Sequence, residues 1–233
     1  MKIGIVTTYD EINYGAFLQA YSLQKFLEEE GYDVEMINYK SRRYHWAELR
    51  ATYPIRSPLY SLGIFRKSLR FKKDQKNLKT SARIKDKNTK IDEKYKFIIF
   101  GSDEIWNVKN CLGGIVEKYF FGVGMEAAKK IAYAASFGST SVSDDLPADV
   151  IKSLRGSEAI GVRDANSKDV LRSNNIEKVS IVIDPTFLIE QPVYETKIRS
   201  PYLLYYCVGA STEYDNEIRE FADANGIVYK PTI

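Results

Sequence analysis

The sequence contains one histidine, His45, two cysteines, Cys111 and Cys207, and no apolar run near the roughly 18 residues that a membrane span requires. Each scarcity excludes something. Zinc chemistry built on histidine pairs and Ser-His-Asp hydrolysis would both depend on His45. Two distant cysteines, with no second Cys or His at ligand spacing, indicate neither a zinc site nor a secretory disulfide framework, and imply a reducing, cytoplasmic setting. The opening residues, Met1 to Val6, run into Asp10 and Glu11 too soon for a secretory leader. Neither internal repeats nor low-complexity tracts are present. The 233 residues, 44% hydrophobic and 28% charged, have the profile of a folded chain of one large domain or one and a half.

The net charge of +3 conceals an asymmetry. Residues 40–96 hold 18 Lys or Arg against 5 Asp or Glu, so the rest of the chain is acidic. Within this basic segment Leu62, Phe65 and Leu69 recur at helical spacing among Arg66, Lys67, Arg70, Lys72 and Lys73. The pattern predicts a basic amphipathic helix. Packing of its apolar stripe on the core is one reading, and contact of 60–73 with an anionic membrane surface or an anionic substrate is the other. Nucleic acid is not indicated, because the segment carries no helix-turn-helix, finger or RNA-recognition signature.

Apolar runs predict strands at 2–7, 33–39, 96–100, 130–134, 159–162 and 179–183, with helices at 16–27, ending near Gly31, and at 148–155 and 166–172. The alternation implies an α/β fold, a Rossmann-like open and mostly parallel sheet with helices on both faces. That domain covers 1–190 and carries the basic insert at 40–96. A linker follows at 191–201, and 202–233 reads as the start of a second Rossmann-like domain, cut short.

Ligands of such sheets bind beyond the carboxyl ends of the strands, so the residues there are the candidates. After the first strand come Asn13 and Gly15, with Gln19 on the helix. A glycine at a helix start lets N–H groups approach an anion, and a cap and a turn explain the same residues. After the third come Gly101-Ser102-Asp103-Glu104-Ile105-Trp106-Asn107, offering hydroxyl, carboxylate and an aromatic wall for a sugar, with Asp103 a candidate general base. The alternative is a capped turn with Trp106 in the core. Ser136 and Gly138 follow the fourth strand. Arg163 ends the fifth, where a guanidinium can grip carboxylate or phosphate through two bonds or form an ion pair with a neighbouring acid.

Taken in order, Asn13 to Gln24, Phe100 to Asn107, Tyr133 to Gly138, Val162-Arg163-Asp164 with Ser167, and Asp184 to Leu188 resemble the polysaccharide pyruvyl transferases. The resemblance implies two Rossmann-like halves in a glycosyltransferase-B-like architecture. It implies transfer of pyruvyl from phosphoenolpyruvate to a sugar of a cell-surface polysaccharide as a ketal, in exopolysaccharide biosynthesis, with no metal or organic cofactor. Arg163 matches the position expected to hold the donor. Asn13, Gly15, Gln19, Gly101, Ser102, Trp106, Ser136 and Gly138 match cleft positions, with Asp103 beside them as the base. The partners implied are phosphoenolpyruvate and a sugar or lipid-linked glycan intermediate, in the cytoplasm or at the inner face of the membrane. No Arg/His motif of a second half is found, so the chain is expected to be a fragment, inactive alone. A nucleotide-sugar-dependent glycosyltransferase and a non-catalytic glycan or membrane-surface module are the alternatives.

Overall fold

The computed structural model describes residues 1–41, 44–47, 50, 58–84, 90, 92–109, 116–190, 201–205 and 212–231, with backbone alone at 58–64, 212–213 and 230–231. Cys111, Cys207 and positions 191–200 of the expected linker lie outside the described residues. Two compact units divide at Gln191/Pro192.

In the first unit, apolar residues point to both sides of each inner strand. In β1 (Lys2–Val6), Ile3 and Ile5 enter one hydrophobic cluster and Val6 another. Strands buried on both faces require a covered parallel sheet. β1 pairs with β2 (Asp33–Met36) after α1 (Tyr14–Glu29), and on its other side with β3 (Phe97–Phe100), which follows α2 (Pro58–Asp74). β4 (Lys129–Ala135), α3 (Ala148–Arg155), β5 (Ala159–Val162), α4 (Ala165–Ser173) and β6 (Val179–Ile181) continue the chain. The sheet order is β2-β1-β3-β4-β5-β6, and every pairing is parallel. It is the doubly wound α/β arrangement expected from the alternation of runs.

Phe17, Ala20 and Leu23 of α1, with Phe71 of α2, close one face over Ile3, Ile5, Val34, Met36 and Ile99. Val150 and Leu154 of α3, Val170 and Leu171 of α4, and Trp106, Phe121 and Phe137 close the other. Lys130 is buried there too, its ammonium donating to Ser153 O at 3.0 Å and Ser153 Oγ at 2.8 Å, so β4 is tied to α3. Burial depresses its pKa, and Glu126 and Asp92 oppose the shift only in part.

α1 starts at Tyr14, two residues before the expected 16, because Asn13 Oδ1 accepts from Gly15 N at 2.9 Å and Ala16 N at 3.3 Å, satisfying two donors of the first turn. β2 is shorter than the apolar run predicts. Past Met36 the chain instead bridges the returning insert, at Met36 with Thr80 and Tyr39 with Ile84. Gln24 fixes that return, donating to Lys79 O at 2.8 Å and accepting from Lys79 N at 2.9 Å.

The packing stripe of α2 differs from the one read in the sequence. Phe65 and Leu69 are each 52% exposed, whereas Ser68 and Phe71 are buried, and the Phe71 ring meets Tyr14 and Phe17 edge-on. At 3.6 residues per turn Phe65 and Leu69 lie about 120–160° around the helix from Phe71, so one aromatic anchors the helix and the apparent stripe faces outward. The side chain of Leu62 is outside the description. No helix among the described residues is long and apolar enough to cross a membrane.

In the second unit, β7 (Tyr202–Tyr205) pairs in parallel with β8 (Val228–Pro231) through α5 (Thr212–Ala224), which buries Ala222 and holds Arg219 on Asp215 at 2.7 Å.

The offset stripe is testable by chemical denaturation. Phe71→Ala should cost about 3–5 kcal/mol, as for a buried aromatic, while Phe65→Ala and Leu69→Ala should stay within about 0.5 kcal/mol. Equal losses at all three positions would restore the original stripe.

Candidate active site

Strand order reverses between β1 and β3, because β1 connects through α1 to one side of the sheet and β3 leads to the other. The crevice beyond their carboxyl ends is where a doubly wound sheet places its ligand. Thr7 and Thr8 follow β1, and Gly101, Ser102 and Asp103 follow β3. Gly101 allows the two ends to meet: a Cβ on it would stand 3.0 Å from Thr7 Cβ. Thr7 Oγ1 donates to Ser102 O at 2.8 Å and accepts from Gln19 Nε2 at 2.9 Å, so α1, β1 and β3 are joined by hydrogen bonds.

Asp103 holds the crevice's carboxylate. One oxygen accepts from Thr8 Oγ1 at 2.5 Å and the other from Glu104 N at 2.8 Å. Its φ of 85° is costly for a residue with a side chain, by about 1–3 kcal/mol, and persists only where neighbours impose it. The neighbour is β4, which bulges between Ala132 and Ala135 with Ala134 at φ 57°. Beyond the bulge Ser136 N donates to Asp103 O at 3.0 Å. Two adjacent strained residues thus aim Asp103 at the rim.

A second carboxylate, Asp184 after β6, links the far strands to the same place. Its Oδ2 accepts from Ser102 Oγ at 2.9 Å and from Arg163 Nη1 at 3.3 Å. Its Oδ1 accepts from Thr186 N at 3.0 Å and Thr186 Oγ1 at 2.8 Å. Burial pushes this carboxyl up, but the bonds from Thr186, Ser102 and Arg163 together outweigh it and hold the pKa below the ordinary value. Asp164 behaves alike: burial raises it, and Ser136 Oγ at 2.7 Å with Ser167 N at 2.7 Å lowers it further. Gly138, at φ 55°, has Glu104 Oε2 2.3 Å from where a Cβ would be, so a larger residue there would be strained and would have to displace the Glu104 side chain.

The structure brings most of the predicted residues to one rim and changes the part several play. Asp103 and Arg163 are partly exposed there and available to a ligand. Gly101, Ser102, Gln19 and Ser136, expected to line the cleft, are buried at its base, and their polar groups face the protein. Trp106 is 0% exposed, its indole N–H on Phe120 O at 2.9 Å and its ring among Phe121 and Phe137. It belongs to the core and walls no sugar site. Asn13 is exposed but engaged as the cap of α1, and Gly15, also exposed, adopts no conformation that demands glycine. Thr8 and Asp184 were missed as site residues. The signal for Thr8 was position alone, two residues past the end of β1, whereas Asp184, three past β6, also opened one of the motifs that carry the resemblance.

Fold and rim together define a doubly wound α/β protein with a constrained carboxylate and a guanidinium at the carboxyl ends of its strands. The chain belongs to the polysaccharide pyruvyl transferase family, whose model matches residues 13–229 and so includes every rim residue after Thr8. No curated protein and no solved structure matches it.

Because the folded pKa of Asp184 lies below the unfolded value near 3.9, its contribution to stability is complete above that value and is lost as pH falls through the depressed one. Asp184→Asn should therefore be less stable than the parent at pH 7, by about 1–3 kcal/mol, with the gap closing below about pH 4. A gap that does not narrow at all as pH falls below about 4 would show that the charge is not what the bonds hold.

Proposed function

We propose that this protein transfers a pyruvyl group from phosphoenolpyruvate to two hydroxyls of one sugar in a cell-surface polysaccharide, as a step of exopolysaccharide biosynthesis, forming a cyclic ketal and releasing phosphate. The family match over 13–229 carries this reading. The rim supports it. Arg163 is 34% exposed at its side chain and commits one nitrogen to Asp184 and Ser102, which leaves the rest of its planar fork for a donor carboxylate or phosphate.

The chemistry assigns work to both charged groups. A proton adds to the methylene carbon of the donor, and positive charge develops at its C2. One sugar hydroxyl adds there and loses its proton to Asp103, which Thr8 and the strained backbone hold in place. The C2–O bond to phosphate then breaks, and the second hydroxyl adds to C2 and loses its proton. Of the two hydroxyl protons, one balances that taken up by the methyl carbon and the other leaves with phosphate. No metal or organic cofactor enters these steps. The donor sets the reaction in the cytoplasm, with the acceptor a sugar or a lipid-linked glycan at the inner face of the membrane.

Phosphate release from phosphoenolpyruvate, dependent on a saccharide acceptor and accompanied by a ketal in the product, is the expected result. Turnover of a nucleotide sugar without use of phosphoenolpyruvate would overturn the proposal. Arg163→Lys, which keeps the charge but not the fork, should raise KM for phosphoenolpyruvate by about tenfold with a smaller effect on kcat. Unchanged donor dependence would remove Arg163 from the donor site.

A further inference from the structure

Part of the excess positive charge of the insert is gathered around one cavity. It measures about 410 Å³, within the range of small-ligand sites, and lies where β1 and β2 end. Lys40, Lys72, Lys76 and Arg83 line it together with one acid, Asp10, and with His45. Asp10 is already neutralised, since Lys40 Nζ reaches its two oxygens at 2.9 and 2.8 Å. Lys72, Lys76 and Arg83 have no acidic partner among the described residues. Lys72, in the last turn of α2, complements the negative end of that helix. Arg83 follows the bridge at Thr80 and belongs to no helix, so the helix dipole does not account for it. Three cations held around one concavity repel one another unless an anion joins them, and their number exceeds what a single carboxylate balances.

We propose that this cavity is a second anion site, for a phosphate monoester or diphosphate group, separate from the Arg163 rim. Three strand spacings of about 4.8 Å separate β1, the nearer strand, from β5, so about 14 Å of sheet lies between the cavity and Arg163. The site does not depend on the transferase reading. Its surroundings indicate how a larger ligand would lie. Phe65, Leu69, Lys72 and Lys76 follow at i, i+4, i+7 and i+11, one row along α2 and its continuation, with the exposed apolar pair leading away from the two lysines of the cavity. A phosphate carried on an apolar chain has a place for both parts, and a soluble phosphate uses the lysines and Arg83 alone.

Calorimetry with inorganic pyrophosphate, and flotation with vesicles of phosphatidic acid or of phosphatidylcholine alone, test the site. Pyrophosphate should bind, more weakly at about 500 mM than at about 50 mM salt, and Lys76→Gln and Arg83→Gln should each weaken it by about tenfold while keeping the parent melting temperature. Arg163→Lys should leave this binding unchanged. Phosphatidic acid vesicles should be bound and phosphatidylcholine vesicles not. Loss of vesicle binding in Phe65→Ser with pyrophosphate binding retained would identify a lipid phosphate as the source, and insensitivity to Phe65→Ser a soluble one. Absence of pyrophosphate binding in the folded parent protein, or equal binding by the parent and the Lys76→Gln and Arg83→Gln variants, would overturn the proposal.

Discussion

A carboxylate largely withdrawn from water stays ionised only when several donors replace the water, and Asp184 finds them on three residues. Ser102 follows β3, Arg163 follows β5, and Thr186 lies just beyond Asp184 itself. Ser102 in turn accepts Thr7 through its carbonyl, which brings in β1 and, through Gln19, the helix α1. One partly buried charge therefore coordinates the carboxyl ends of strands that are not all neighbours in the sheet. Removing it would strand the hydroxyl of Ser102 and release Arg163, so the shape of the crevice and the availability of its guanidinium depend on the same contact.

That contact also accounts for how the rim tolerates strain. Asp103 and Ala134 both adopt a positive φ, and neither is a glycine. The bulge of β4 and the bridge between Asp103 and Ala135 hold them together, while Ser102, one residue away, is fixed at 0% exposure. A rigid base makes the carboxylate of Asp103 a fixed feature of the crevice. In the proposed transfer, a base held at a set position is worth more than a mobile one, since no reorganisation accompanies the reaction.

The layers of the fold were legible because they arise from local pattern. Two-sided apolar runs gave the strands, and Asn13 and Gly31 gave the ends of α1. Where tertiary contact decides, sequence alone misled. Phe65 and Leu69 have the spacing of a packing face, yet α2 is anchored by Phe71, whose partners Tyr14 and Phe17 lie more than fifty residues away. Trp106 sits in a polar motif and still enters the core, because its N–H finds a carbonyl inside. The strain at Ala134 left no trace, since an alanine in a strand announces no bulge. Candidate residues were found by strand ends, but whether each faces ligand or protein follows from hydrogen bonds between distant segments, as for Ser102, Gln19 and Ser136.

The basic insert stands apart from this network, fastened to the sheet by Phe71, by the amide of Gln24 and by its bridges to β2. The coupling around Asp184 is the central claim. A double-mutant cycle of Ser102→Ala and Asp184→Asn, followed by denaturant unfolding, measures it most directly. The account predicts an interaction energy of about 0.5–3 kcal/mol, as for partners in one hydrogen-bond network, and losses that add within about 0.3 kcal/mol would contradict it.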